Sequence, residues 1–159
     1  MVEKNLLLQK NDIHLYVSDP HRVRGTRVLT RYRDMLTEEE KKKRARYLFE
    51  KDRHRYLVTR AMIRSLLSRY GECEPREWRF STNEWDKPEI CTHQNPHGLR
   101  FNISHTDAMI CCVFTPELDI GVDVENTHRK GETVKIAHRF FSVLEEQELR
   151  SQPQERQRS

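Results

Sequence analysis

The sequence predicts a mixed fold of the α/β (α+β) class, and three observations carry that expectation. Short alternating runs at Ile13-His14-Leu15-Tyr16-Val17 and between residues 100 and 125 have the period of strands. Between them lie two charged segments, near 37–46 and 52–70, that read as helices from a cap signal and from apolar residues at helical spacing. With 35% hydrophobic and 34% charged residues, 159 residues can bury a real but economical core under an ionic surface.

Ile13 to Val17 reads as a first strand, ended by the turn signal Ser18-Asp19-Pro20, and a loop or short helix follows through Thr30 to Met35. Thr37 can cap a helix, with Glu40 completing a capping box and the acids preceding Lys41-Lys42-Lys43-Arg44 as the helix dipole favours. From about Asp52 to Tyr70, residues Tyr56, Ile63, Leu67 and Tyr70 share one face, Arg53, Arg55, Arg60, Arg64 and Arg69 take the others, and Gly71 supplies a stop. Trp78-Arg79-Phe80-Ser81 reads as a short strand with Trp78 and Phe80 as core. A turn from Ser81 to Asp86 leads into Lys87-Pro88, and Thr92 to Gly98 is a flexible segment.

Residues 100–125 read as three strands in a row: Arg100 to Ser104, the almost wholly apolar and therefore central Ala108 to Phe114, and Ile120 to Glu125. Thr133 to Phe141 has helical spacing. Ser142, with Glu145 three residues on, caps a further short helix, and Ser151 to Ser159 is a polar tail expected to be disordered.

The net charge of +4 favours anionic partners. Cys73, Cys91, Cys111 and Cys112 make no Cys-x-x-Cys pair and read as buried thiols rather than a disulfide or zinc site. No signal peptide opens the chain and no run approaches the ~20 apolar residues of a membrane span. The expectation is a cytoplasmic (cytosolic) protein with no membrane partner. A nucleic-acid partner is not expected either, since there is no recognised motif or exposed aromatic platform.

Two segments carry the chemistry. Phe101-Asn102-Ile103-Ser104-His105-Thr106 puts His105 at a strand end as a phosphate ligand, or as an ordinary turn histidine. Gly121-Val122-Asp123-Val124-Glu125 puts Asp123 and Glu125 on one face of a strand, roughly 7 Å apart at Cα, where they can converge on one divalent ion or form a solvated acidic face. Magnesium takes one or two carboxylates and completes its shell with water and phosphate. In a meander the histidine and the carboxylates emerge at the same sheet edge, two strand spacings or about 10 Å apart, a gap that a metal and a diphosphate can bridge. Ser104 and His105 point to opposite faces and no Gly-x-Ser-x-Gly elbow is present, so a serine hydrolase is not expected. The basic cluster Lys41 to Arg46 with His54-Arg55 is either a solvated helix face or an anion pocket, and Lys87 before the rigid Pro88 either a surface lysine or a phosphate contact.

These segments, together with Lys43, Asp52-x-His54-Arg55, Arg79-Phe80-Ser81, Lys87-Pro88 and Arg139-Phe140-Phe141-Ser142, occur in an order that resembles the 4'-phosphopantetheinyl transferases of the surfactin-synthetase-activating type. The resemblance covers roughly residues 37–150. It implies a pseudo-dimer of two α/β halves with coenzyme A between them. Asp123 and Glu125 would bind magnesium with the diphosphate, and His105, Ser104 and Lys87 would line the phosphate pocket. Lys43, His54 and Arg55 would hold the nucleotide end with its 3'-phosphate. The implied reaction moves the phosphopantetheine arm to a serine of an acyl, peptidyl or aminoadipate-type carrier protein, with Asp123, Glu125 and His105 as catalytic residues. The alternative is a non-catalytic module that binds coenzyme A or the carrier protein. The chain departs from the family at Asp86, usually glycine, at Glu40, often basic, and in lacking the Trp-x-x-Lys-Glu segment. The expected organisation is therefore a complete N-terminal half (1–118), the start of a truncated second half (119–150) and a polar tail (151–159).

Overall fold

The structure, a computed structural model, describes residues 6–84, 87–126 and 141–153. The chain divides into two units, Met1–Val124 and Glu125–Ser159. In the first, β1 (His14–Ser18) is followed by α1 (Thr26–Met35), α2 (Glu38–Ala45) and α3 (Glu50–Tyr70), then β2 (Phe80–Thr82), β3 (Pro88–Ile90), β4 (Leu99–His105) and β5 (Ile110–Pro116). The second unit contributes α4 (Val143–Ser151). Single 3-10 turns lie at Pro20–Arg22 and Thr92–Gln94. The expected helix at Thr133 to Phe141 lies almost wholly outside the described residues. No helix among the described residues is long and apolar enough to cross a membrane.

The main sheet is antiparallel in the order β1-β5-β4, with β2 and β3 paired in a separate hairpin. As the apolar run predicts, β5 is central, and Ile110 to Thr115 are all buried. Its neighbours are β4 and β1 rather than the expected third strand: Cys112 faces Ile103 on one side and Tyr16 on the other. Residues 120–124 form no ladder. They run beside β4, where the Val122 amide donates to Asn102 Oδ1 (3.3 Å) and the Val124 amide to Ser104 Oγ (3.2 Å). Because β1 occupies the second edge of β5, the segment has only the outer edge of β4 to follow, and side chains accept the amides that a strand would present to carbonyls. The predicted alternation survives without the ladder. Ile120, Val122 and Val124 are half-buried while Gly121, Asp123 and Glu125 are exposed.

Helix α3 covers one face of the sheet. Ile63, Leu66 and Leu67 pack with Trp78, Ile90, Phe101, Cys112 and Phe114 in one core cluster, and burial raises the Cys112 thiol to about 12. Leu15 and Val17 of β1, and Ile13 just before it, do not join this core, because all three are more than half exposed. The inward positions are His14 and Tyr16, whose Nδ1 and Oη lie 2.7 and 2.8 Å from Tyr70 Oη. Hydrogen bonding to a helix tyrosine, not aliphatic burial, sets the face of this strand.

Gly71 ends α3 as predicted, though not through a left-handed backbone, since its φ of −132° is extended. A Cβ there would lie 2.7 Å from Trp78 Cη2, so glycine is required by the close approach of the indole, whose Nε1 donates to Ser68 Oγ at 2.9 Å.

Arg64 also departs from expectation. It is 1% exposed, donating from Nε to Glu40 Oε2 (3.0 Å) and from Nη1 to the carbonyls of Pro75 (2.8 Å) and Trp78 (3.0 Å). Arg60 Nε donates to Glu40 Oε1 at 2.6 Å. The predicted capping box is present: Thr37 N–H donates to Glu40 Oε2, and Thr37 Oγ1 accepts from the Glu40 amide. Burial opposes ionisation of Glu40, but Arg60, Arg64 and the Thr37 amide outweigh it and hold the carboxyl below the usual range.

A depressed carboxyl contributes stability above its unfolded value of about 4.3 and loses it as pH falls through the folded value. Glu40→Gln is therefore expected to cost about 3 kcal/mol at pH 7, where Arg64 loses its counter-charge. The difference from the unsubstituted protein should narrow below about pH 4, as measured by urea denaturation at both pH values. Gly71→Ala is expected to cost about 1–3 kcal/mol through overpacking against Trp78, read in the same experiment at pH 7.

Candidate functional site

The C-terminal end of β4 gathers several of the residues singled out by the sequence. Ser104 Oγ donates to Asp123 Oδ1 at 2.8 Å and accepts the Val124 amide at 3.2 Å, so one hydroxyl fixes both the carboxylate and its backbone. The adjoining His105 is the last residue of β4, exposed, and opposite Ile110. The expected separation of two strand spacings is therefore not what the fold contains: Asp123 touches the residue before the histidine directly.

Beyond His105 the chain turns tightly, with the Thr106 amide donating to the Met109 carbonyl (2.8 Å) and Thr106 Oγ1 accepting the Met109 amide (3.1 Å). Asp107, at the tip, meets helix α3. It pairs with Lys51 Nζ at 3.2 Å and with Arg55 Nη1. The hydrogen bond from Lys51 comes first, with the charges of Lys51 and Arg55 behind it, in holding this carboxyl below its ordinary range. Arg55 Nη2 also reaches Asp52 Oδ1 at 2.7 Å. His54 Nε2 lies 2.8 Å from the Pro20 carbonyl. A carbonyl can only accept, so Nε2 carries the hydrogen and Nδ1 is the atom left for a ligand. Pro20, His21, Glu50, Lys51, His54, Arg55 and Asp107 enclose a hollow of about 280 Å³. His54 and Arg55 thus come to the same end of the sheet as Ser104, His105 and Asp123.

Other candidates lie apart. Lys87 Nζ donates to the Ile120 carbonyl at 2.9 Å. With Val122 beside Asn102, that carbonyl is level with Arg100, about 13 Å along β4 from Ser104. Lys43, exposed in the last turn of α2, lines a separate hollow of about 590 Å³ with Glu39, Lys42, Arg46 and Tyr47. Glu125 is exposed and opens the second unit. Among the described residues, no group of three or more His, Cys, Asp and Glu side chains is arranged to hold a metal. Lys51 and Asp107 were not foreseen: they lie 56 residues apart, and neither shows a local pattern that singles it out.

Helices α1–α3 thus accompany the β1-β5-β4 sheet, and a histidine, a serine and a carboxylate gather at the end of β4. A family model described as "4'-phosphopantetheinyl transferase, N-terminal" matches residues 26–117. The chain is 34% identical over 127 residues to the 4'-phosphopantetheinyl transferase Sfp of Bacillus subtilis, covering 80% of this chain and 54% of that protein. It is 29% identical over 154 residues to the 4'-phosphopantetheinyl transferase HetI of Nostoc, covering 95% of this chain and 63% of that protein. The chain belongs to the 4'-phosphopantetheinyl transferase family, and it spans about half to two thirds of the length of these two relatives.

Ser104→Ala removes the acceptor of the Val124 amide and the donor to Asp123. The expected outcome is amide exchange at Val124 faster by about tenfold or more, the worth of one hydrogen bond to a charged or polar partner. Global stability should change little. Hydrogen-exchange NMR with a parallel thermal melt measures both.

Proposed function

We propose that this chain acts in 4'-phosphopantetheinyl transfer, holding coenzyme A with magnesium and directing its phosphopantetheine arm to a serine of a carrier protein. The observation that carries the reading is the 2.8 Å bond from Ser104 to Asp123, which fixes an exposed carboxylate beside His105 at the end of the sheet that also holds His54 and Arg55.

The donor set fits magnesium: Asp123 is exposed and oriented through one oxygen, and oxygen ligands of this type are those the ion takes with phosphate and water. Asp123, with Glu125 two positions on in the sequence, would hold it. When bound, the ion supplies neutralisation of charge on the diphosphate. His105 would contact the diphosphate, and Ser104, whose one O–H is donated to Asp123, would line the same pocket and hold that carboxylate in place. His54 and Arg55 would take the phosphate on the nucleotide end, with Lys43 and Lys87 as further cations along the cofactor. Attack by the carrier serine oxygen forms a new P–O bond to the phosphopantetheine phosphorus, and the bond to adenosine 3',5'-bisphosphate breaks. The hydroxyl proton leaves to a base, and the bisphosphate departs with the bonding electron pair. Such a transfer needs positioning and charge stabilisation more than covalent help from the protein. The +4 net charge suits an acidic carrier domain.

The test is labelling of a carrier protein with a fluorescent coenzyme A. Magnesium-dependent labelling is expected, abolished by chelation and lowered about 100-fold or more by Asp123→Ala. His105→Ala is expected to lower it by a similar factor. Coenzyme A binding by calorimetry without labelling would assign instead a cofactor-binding module. Labelling indifferent to both Asp123→Ala and chelator would overturn the assignment of the carboxylate.

A further inference from the structure

We propose that Asp107 is a built-in competitor for the anion that the Lys51, His54 and Arg55 hollow takes, so that a phosphomonoester enters by displacing this carboxylate. The inference rests on the reading of His54 and Arg55 as phosphate ligands and adds a residue that sets how tightly they hold it.

The hollow has two full cations, Lys51 and Arg55, and Asp107 engages both, at 3.2 Å to Lys51 and through Nη1 of Arg55. The other carboxylate of the lining, Glu50, is directed elsewhere, to Arg53 at 2.7 Å and Arg44 at 3.7 Å. Asp52 holds Nη2 of Arg55 from one turn away on the same helix, which orients the guanidinium and leaves Nη1 for a second acceptor. Asp107 is that acceptor. It comes from a hairpin tip rather than from the helix, and its side chain is 58% exposed while that of Arg55 is 22% exposed. An exposed carboxylate on a half-buried guanidinium can leave for water at little cost, whereas a carboxylate buried with Arg55 could not. The hollow, about 280 Å³, is also lined by His54, whose Nε2 is committed to the Pro20 carbonyl, so that its other nitrogen donates to a phosphate oxygen only when the ring is protonated. A phosphate dianion offers more acceptor oxygens and more charge than the single carboxylate it replaces. Asp107 therefore keeps the cations neutralised when empty and lowers net affinity when filled.

Asp107→Asn keeps the size of the side chain and removes the charge. Isothermal titration of the full chain and of Asp107→Asn is made with coenzyme A, 3'-dephospho-coenzyme A and inorganic phosphate, with Asp107→Asn/Arg55→Ala as the second background. Thermal melts run alongside. Coenzyme A is expected to bind Asp107→Asn about tenfold more tightly, one charge-assisted contact no longer displaced. That gain should vanish for the dephospho form and in the Arg55→Ala background. Inorganic phosphate should gain by a similar factor. Coenzyme A binding that is unchanged or weaker in Asp107→Asn overturns the inference while leaving the cofactor reading intact. A lower melting temperature with no gain in affinity does the same, because it marks Asp107 as only a tie between hairpin and helix. Absent coenzyme A binding with a phosphate gain retained overturns the cofactor reading and keeps the inference. Binding of neither ligand by any variant overturns both.

Discussion

The buried Arg64 guanidinium is the constraint around which the first unit is organised. Its Nε meets Glu40 from α2 and its Nη1 meets the carbonyls of Pro75 and Trp78. One side chain of α3 thus holds both the capped helix before it and the loop after it. A charge that deep is tolerated only with a counter-charge and filled hydrogen-bonding capacity, and Glu40 supplies the first while being fixed itself by Thr37 and Arg60. The rings follow: Arg60 and Arg64 lie over Phe80 at 4.6 and 5.2 Å, and Phe80 meets Phe101 edge-on at 6.0 Å. The position of β4, and of Ser104 and His105 at its end, descends through that chain of contacts from the arginine.

This explains a departure that is opaque in the sequence. Read as a surface position, Glu40 subtracts a cation from the nucleotide site that the resemblance implies. In the fold it is 8% exposed and faces inward to two arginines. Its acidity belongs to the packing of α2 on α3, so the departure bears on stability before it bears on ligand binding.

What was legible in the sequence is what is local. The capping boxes at Thr37/Glu40 and Ser142/Glu145 both form, because a cap needs only residues three positions apart. The central strand was legible because only a strand buried on both faces reads as an uninterrupted apolar run, and α3 because its apolar face is periodic over many turns. Pairing across the chain was not. Nothing near Tyr16 announces Cys112 as its partner, and the face β1 turns inward is decided by Tyr70, a residue on another element. The same holds at the site. The alternation around Asp123 was readable, but its partner Ser104 depended on which edge β1 left open, a choice made by strands the segment never touches.

The hairpin tip shows how such long-range choices reach the chemistry. His105 is placed by the β4–β5 ladder, and the next turn is docked on α3 through Asp107 to Lys51 and Arg55. Arg55 is one residue from His54, which is anchored in turn to Pro20 by its ring. A ligand drawing charge away from Asp107 acts on Lys51 and Arg55 together, because the hairpin tip and the helix share these two cations. The site is therefore better described as a balance of charges between α3 and the hairpin than as a row of independent ligands. That coupling is a property of the tertiary fold, since its members come from segments 34 to 56 residues apart.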